Sequence, residues 1–328
     1  MDIEQLLASF EDKTVLVVGD VMIDSYIFGS KPVADGVPVI NTKRKEKRLG
    51  GAANVALNIQ ALSATPILCS VVGDDHEGQI LERLLEVQGM PNKGIIRSQN
   101  RRTTTKLRVL GGSNQIVRVD SEDVHPLIDL DRKALLSHIS NLSKECDLII
   151  FEDYDKGTIH SEIISETIAI AAEKGIPVAV DPRQKNFFAY TGATLFKPGI
   201  EELEKHFDIR LSTKSETELG ELMVGLDQKI GAKSYLISLD DGDIFFHSNS
   251  ISKVFPTHHT GVADMSGVGN AIISVAGLSL TLGLKEEAVA ELSNIAAGIV
   301  AKFSGVVPIS RDQFSKEVAE NQLLPKYL

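Results

Sequence analysis

The segment Asp264-Met265-Ser266-Gly267-Val268-Gly269-Asn270 runs straight into an apolar stretch of helical character, Ala271 to Leu280. A glycine-rich turn feeding a helix presents unpaired N–H groups at the positive end of the helix dipole, an arrangement suited to an anion or to charge developing on a phosphoryl group. The same pattern also arises where glycines merely cap a helix. Gly50-Gly51-Ala52-Ala53-Asn54-Val55-Ala56 opens a second helix. Its small residues let backbone approach a polyhydroxy ligand, and Asn54 offers both a donor and an acceptor. Packing alone selects small residues at helix starts too. No G-x-G-x-x-G follows the first strand and no G-x-x-x-x-G-K-[ST] occurs, which removes the dinucleotide and P-loop readings. His258-His259 is an adjacent pair without a cysteine companion, a poor metal site.

The elements that must position these residues can be read from hydrophobic runs. Thr14 to Val18 is β-branched and continuous, as in a strand buried on both faces of a parallel sheet, and similar runs recur at Ile67 to Val72, Leu148 to Phe151, Val178 to Val180 and Tyr235 to Ser238. Between them lie segments of helical spacing, such as Ile164, Ile168 and Ala171, closed by Gly175 where a left-handed C-cap is favoured. Alternating strands and helices predict an α/β chain with a doubly wound, mostly parallel sheet and helices on both faces. Two stretches, 24–42 and 103–120, break that rhythm. In the second, Lys106 to Leu110 and Gln115 to Val119 flank the turn-forming Gly111-Gly112-Ser113-Asn114. They predict a small inserted β lid on one domain spanning 1–328, able to close over a crevice at the strand ends.

Composition narrows the function classes. The 328 residues are 43% hydrophobic and 24% charged, ordinary for a globular chain, and no apolar run approaches bilayer length, so no membrane partner is expected. A formal charge of −11 opposes nucleic acid, and the basic run Lys43 to Arg48 lacks aromatic residues for base stacking; solvated surface, or a contact to an anionic substrate, accounts for it. The acidic N-terminus does not read as a secretory signal, which predicts a cytoplasmic address. Cys69 and Cys146 are too few for a disulfide framework and read as buried thiols.

Taken together, the two glycine motifs make the chain resemble the ribokinase, or PfkB, carbohydrate kinases over essentially its whole length. Gly50-Gly51 with Asn54, then Ser63 and Gly73, is similar to that family's first signature, and Asp264 through Asn270 to its second. Gly19 to Asp24, Thr105 to Arg108 and Glu152 to Gly157 resemble the branch that phosphorylates heptose 7-phosphate at its anomeric hydroxyl. The resemblance implies a ribokinase-like fold, ATP with Mg²⁺ and K⁺ as cofactors, a sugar phosphate as acceptor, and a homodimer. It implies Asp24, Gly50, Gly51 and Asn54 around the sugar, with Lys106 and Arg108 on its existing phosphate. Lys197, Glu202, Ser238, Gly242 and Asn294 fall at nucleotide positions, Glu202 also helping to organise Mg²⁺, and Asp264 falls where members support a monovalent cation. The amides of Gly267, Val268 and Gly269 fall at the anion hole.

The chain departs from that pattern where the chemistry is hardest. The second signature normally ends in an aspartate that takes the proton of the attacking hydroxyl, and here the position is Asn270. A neutral amide cannot accept that proton, so a general-base contribution of about 10²- to 10⁴-fold is forfeited. Gly199 replaces the asparagine of an N-x-x-E motif whose glutamate, Glu202, remains, and Asp240-Asp241-Gly242-Asp243 adds acid near the expected phosphates. The sequence therefore predicts an impaired kinase or, alternatively, a sugar- or nucleotide-binding relative that regulates an active one.

Overall fold

The computed structural model describes residues 3–30, 39–112, 114–211, 215–239, 242–257, 264–321 and 324–327. Asp240-Asp241, His258-His259 and residues 31–38 of the expected insertion lie outside them. In chain order the strands are β1 (Thr14–Gly19), β2 (Val21–Gly29), β3 (Thr42–Gly51), β4 (Thr65–Gly73), β5 (Ile95–Ser98), β6 (Thr105–Gly111), β7 (Asn114–Ser121), β8 (Leu148–Glu152), β9 (Val178–Asp181), β10 (Leu195–Phe196), β11 (Ser234–Ser238), β12 (Ile244–Ser248) and β13 (Ser252–Phe255). They form two sheets, one of nine strands in the order β13-β12-β11-β10-β9-β8-β1-β4-β5 and one of four in the order β3-β2-β6-β7.

All five apolar runs singled out in the sequence are parallel members of the large sheet, and only β12 and β13 pair antiparallel. Alternation within β1 explains why both faces are covered. Val15 and Val17 pack into a core with helices Ala52–Ala61, Val268–Thr281 and Glu286–Ala301. Leu16 and Val18 pack into a second core with helices Asp129–Leu142, Ser161–Lys174 and Glu216–Ile230. Gly175 ends its helix in the left-handed region, φ 67°, as its spacing predicts. No helix of the described residues is long and apolar enough to cross a membrane.

The small sheet differs from the insertion read in the sequence by one strand. The basic run belongs to β3, which pairs antiparallel with β2 and extends the β-structure to Gly51, beyond the expected limit at 42. Its charged side chains hid it, because a strand without an apolar face carries no hydrophobic period. Arg44 lies over the Phe28 ring at 4.3 Å and Arg48 over Tyr26 at 4.9 Å, so the aliphatic and cationic parts of this strand pack on aromatic residues of β2. The strand then leads directly into Gly51, φ 59°, and the helix Ala52–Ala61.

Candidate active site

The carboxyl ends of β8, β9 and β10, the turn before helix Val268–Thr281 and the inner face of the small sheet enclose a cavity of about 530 Å³. A crevice at strand ends is where open α/β sheets bind ligands. Of the residues singled out by sequence, Asp24, Gly51, Lys106, Arg108, Lys197, Glu202, Ser238, Gly267, Val268, Gly269 and Asn270 all line it. The remaining ones do not. Gly50 and Asn54 lie behind the wall: a Cβ on Gly50 would sit 2.2 Å from Asp24 Oδ2, so only glycine lets β3 pass that carboxylate. Gly242, φ 90°, turns the chain between β11 and β12. Asn294 is buried and donates to the carbonyls of Phe255 and Pro256 at 3.2 and 2.9 Å.

Gly267 caps the helix in the left-handed region at φ 83°, a conformation glycine adopts without strain. The Val268 N–H donates to Met265 O at 3.3 Å, whereas Gly269 stands open over the cavity. A Cβ on Gly269 would be 3.4 Å from both Asp181 Oδ2 and Lys197 Nζ, so the glycine keeps this approach clear. Asn270 is held from three sides. Its Nδ2 donates to Asn54 Oδ1 at 3.0 Å and to Gly51 O at 3.5 Å, and its Oδ1 accepts from the Tyr154 hydroxyl at 3.0 Å. Asn54 Oδ1 also accepts from Asn58, while Asn54 Nδ2 is buried with no acceptor. A carboxylate at position 270 would accept from the Asn54 amide once it turned over, at the cost of the bond from Asn58.

One wall carries ion pairs. Lys197, buried just past β10, contacts Asp181 at the end of β9 at 2.8 Å. Arg183 contacts Glu202 Oε1 at 2.8 Å, and Glu202 Oε2 accepts the N–H of the N-cap residue Gly199 at 2.9 Å, the glutamate half of a capping box at the start of helix Ile200–Phe207. Burial and the Asp181 charge raise the Glu202 pKa against the pull of Gly199 and Arg183. Glu152, at the end of β8, has its acid pushed well up by burial and by Asp181, and its Oε2 has no hydrogen-bond partner.

The opposite wall is the small sheet. Asp24 is paired with Arg108 across β2 and β6, and Arg108 faces Arg118 directly across β6 and β7. Burial would lower the Arg108 pKa, but the hydrogen bond and charge of Asp24 carry it above its usual value. Lys106 places its ammonium 5.3 Å from the Tyr154 ring centroid, and burial lowers its pKa, opposed by Asp24 and reinforced by Lys156 and Arg118. Such a cluster of cations, facing a cavity, is arranged for an anion.

Asp264 serves as a clamp. Its Oδ1 accepts the Ser266 N–H at 2.9 Å and its Oδ2 the Gly305 N–H at 2.8 Å, and although burial works to raise its pKa, these bonds carry it below the usual value. Among the described residues no group of three or more His, Cys, Asp or Glu side chains could hold a metal ion by itself. Tyr154, Asp181 and Arg183 line the cavity but were not among the sequence candidates. Tyr154 lies in the motif Glu152 to Gly157, and Asp181-Pro182-Arg183 follows the apolar run Val178 to Val180, so strand-end position was the available signal.

The profile of pfkB family carbohydrate kinases matches residues 12–313. The chain is 31% identical over 326 residues to the bifunctional protein HldE of Syntrophotalea carbinolica, covering 98% of this chain and 66% of that protein. It is 34% identical over 299 residues to the HldE of Wolinella succinogenes, covering 90% and 62%. The chain thus spans about two thirds of the length of these relatives. Among solved structures, phosphofructokinase-2 from Escherichia coli in complex with potassium superposes with a TM-score of 0.78 at 16% identity, covering 94% of this chain and 98% of that one. Ribokinase of Arabidopsis thaliana complexed with ribose and ATP superposes with a TM-score of 0.71 at 17% identity, covering 93% and 98%.

Proposed function

Because the chain belongs to the pfkB family of carbohydrate kinases, we propose that it transfers the terminal phosphoryl group of ATP to a hydroxyl of a sugar phosphate, heptose 7-phosphate being the acceptor, at a rate limited by Asn270. The observation that carries this reading is the open Gly269 turn facing Lys106 and Arg108 across one cavity. The turn suits a phosphoryl group in transfer, and the opposing cations suit a phosphate the acceptor already carries. Asp24, paired with Arg108, and the backbone at Gly51, bonded to Asn270, line the same cavity, where a sugar would bridge the two. The small sheet acts as the lid.

The residues fit ATP with Mg²⁺. Lys197 and Arg183 supply positive charge for the phosphates, and Glu202 supplies hard oxygens, one or two carboxylates being the usual protein share of such a magnesium site. When bound, the metal would neutralise charge on the phosphate oxygens. A monovalent cation at Asp264 is part of the proposal, since each of its oxygens accepts one backbone N–H and keeps a further lone pair.

A homodimer is part of the proposal. Val117 and Val119 are 46% and 51% exposed on β7, in register with Val109 and Leu107 of β6, and give the outer face of the small sheet an apolar strip that a second copy would cover.

A binding-only relative is the second reading, and the fixed Asn270 amide favours it. Measuring ADP release with heptose 7-phosphate, in the parent and in Asn270→Asp, separates the two. Slow release in the parent supports the kinase. Silence in both proteins, with ATP still bound, supports the binder.

A further inference from the structure

A kinase whose base position is an amide needs another acceptor for the hydroxyl proton, and the cavity holds four carboxylates to choose from: Asp24, Asp181, Glu201 and Glu202. Asp24 is buried and paired with Arg108 on the far wall. Glu202 has one oxygen on Arg183 and the other on the Gly199 N–H. Glu201 is exposed to solvent on helix Ile200–Phe207. Asp181 remains. Its Oδ2 holds Lys197 at 2.8 Å, no hydrogen bond to its Oδ1 occurs among the described residues, and its side chain retains 15% exposure toward the cavity.

Its position is also right. Asp181 Oδ2 is 3.4 Å from where a Cβ of Gly269 would be, one residue before Asn270. It is near enough to Tyr154 to add to the effect of burial in raising that phenol, and the Tyr154 hydroxyl is hydrogen-bonded to Asn270. Asp181 and Asn270 therefore flank the same spot beside the open turn.

Resting on the kinase reading above, we infer that Asp181 is the catalytic base of this chain, in place of the residue at position 270. In the step it would serve, the sugar hydroxyl oxygen forms a bond to the terminal phosphorus of ATP. The bond from that phosphorus to the bridging oxygen breaks, ADP leaves with the electron pair, and the hydroxyl proton passes to Asp181 Oδ1 and then to solvent. Protonating Asp181 weakens its hold on Lys197, whose ammonium then faces the charge gathering on the transferred group.

The test is ADP release with ATP and heptose 7-phosphate in four proteins: the parent, Asp181→Asn, Asn270→Asp and the double variant. Thermal melting alongside reports folding, since Asp181→Asn leaves Lys197 buried without its partner. The expected result is a kcat lowered about 100-fold in Asp181→Asn with KM for ATP changed far less, and at least about tenfold recovery in the double variant, where a carboxylate at 270 supplies the acceptor. Asp181→Asn with parental kcat overturns the assignment. So does a loss that Asn270→Asp does not restore, because Asp181 would then act only as the partner of Lys197. A silent parent with an active Asn270→Asp overturns it too and marks the chain as an inactive descendant that keeps the kinase site, whereas silence in the parent and Asn270→Asp alike removes the kinase reading itself.

Discussion

The two walls of the cavity solve their electrostatics differently. On the strand-end wall each buried or half-buried charge has a neighbour of opposite sign, Asp181 with Lys197 and Glu202 with Arg183. On the small-sheet wall Asp24 answers Arg108, and Lys106, which has no ion pair among the described residues, lies over the face of an aromatic ring. The first wall is close to neutral before a ligand arrives, and the second carries surplus positive charge. A balanced wall is suited to positioning a group whose charge changes during reaction, and an unbalanced one to holding a fixed anion. Asn270 bonds Tyr154, Asn54 and Gly51 and none of Asp24, Arg108 and Lys106, so an amide at 270 leaves the surplus positive charge as it was.

The hardest blow to this contrast is Arg108→Ala, which strands Asp24 as a buried charge. It should lower the unfolding free energy in urea by about 3 kcal/mol or more, an uncompensated buried charge typically costing about 3–5 kcal/mol. A loss below about 1 kcal/mol would mean that the pair is open to water and the wall less polarised than described.

Lys106→Met sharpens the contrast from the ligand side. Calorimetry should show heptose 7-phosphate binding weakened by about 1.5–3 kcal/mol, the usual worth of a charged hydrogen bond, with ATP binding unaltered and with no comparable change for the sugar lacking its phosphate. Equal losses for both sugars would place Lys106 on the ring hydroxyls instead.

Between the walls lies the loop that presents Tyr154, anchored by Asp153, which accepts from Tyr190 at 2.7 Å and from Asn186 at 3.0 Å. Burial, with help from Asp20, pushes the Asp153 carboxyl up to about 6 from an ordinary 3.8. The folded chain keeps this proton where the unfolded chain has shed it, so the stability it contributes is full below about pH 3.8 and is lost as pH rises through about 6. Relative to the parent, Asp153→Asn should gain about 1–3 kcal/mol between pH 4 and pH 7 in urea unfolding. A flat difference curve would show that the loop is hydrated.

The smallest expected effect on stability is that of Gly269→Ala. Its methyl would meet Asp181 and Lys197 at ordinary contact distance, so unfolding should shift by no more than about 0.5 kcal/mol, while ATP affinity falls as the methyl occupies the approach to the turn. An unchanged affinity would put the phosphates elsewhere.

How much of this was legible in the sequence follows from where the information lies along the chain. The large sheet announced itself because strands buried on both faces must be continuous apolar runs, as Val15 to Val18 and Leu148 to Phe151 are. The helix before which Gly267 turns was legible for a similar local reason. Strand β3 was not, since Lys43 to Arg48 follow no hydrophobic alternation and are held by Phe28, Tyr26 and other distant partners. Asp181 was missed because a lone aspartate at a strand end has no spacing to single it out. Its meaning comes from Lys197 and Gly269, 16 and 88 residues further on, which only the fold brings beside it.

Arg48 of β3 reaches the carbonyls of Ser304 and Val306 at 3.5 and 3.4 Å, and Gly305 between them is tied to Asp264, three residues before the turn at Gly267. These contacts make a mechanical linkage from the small sheet to the turn before helix Val268–Thr281. Whatever lifts β3 must pull on residues 304–306 and, through Asp264, on the turn itself. Occupancy at one end would then be felt at the other as altered hydrogen exchange at the Gly305 and Ser266 amides, a signal that requires no turnover at all.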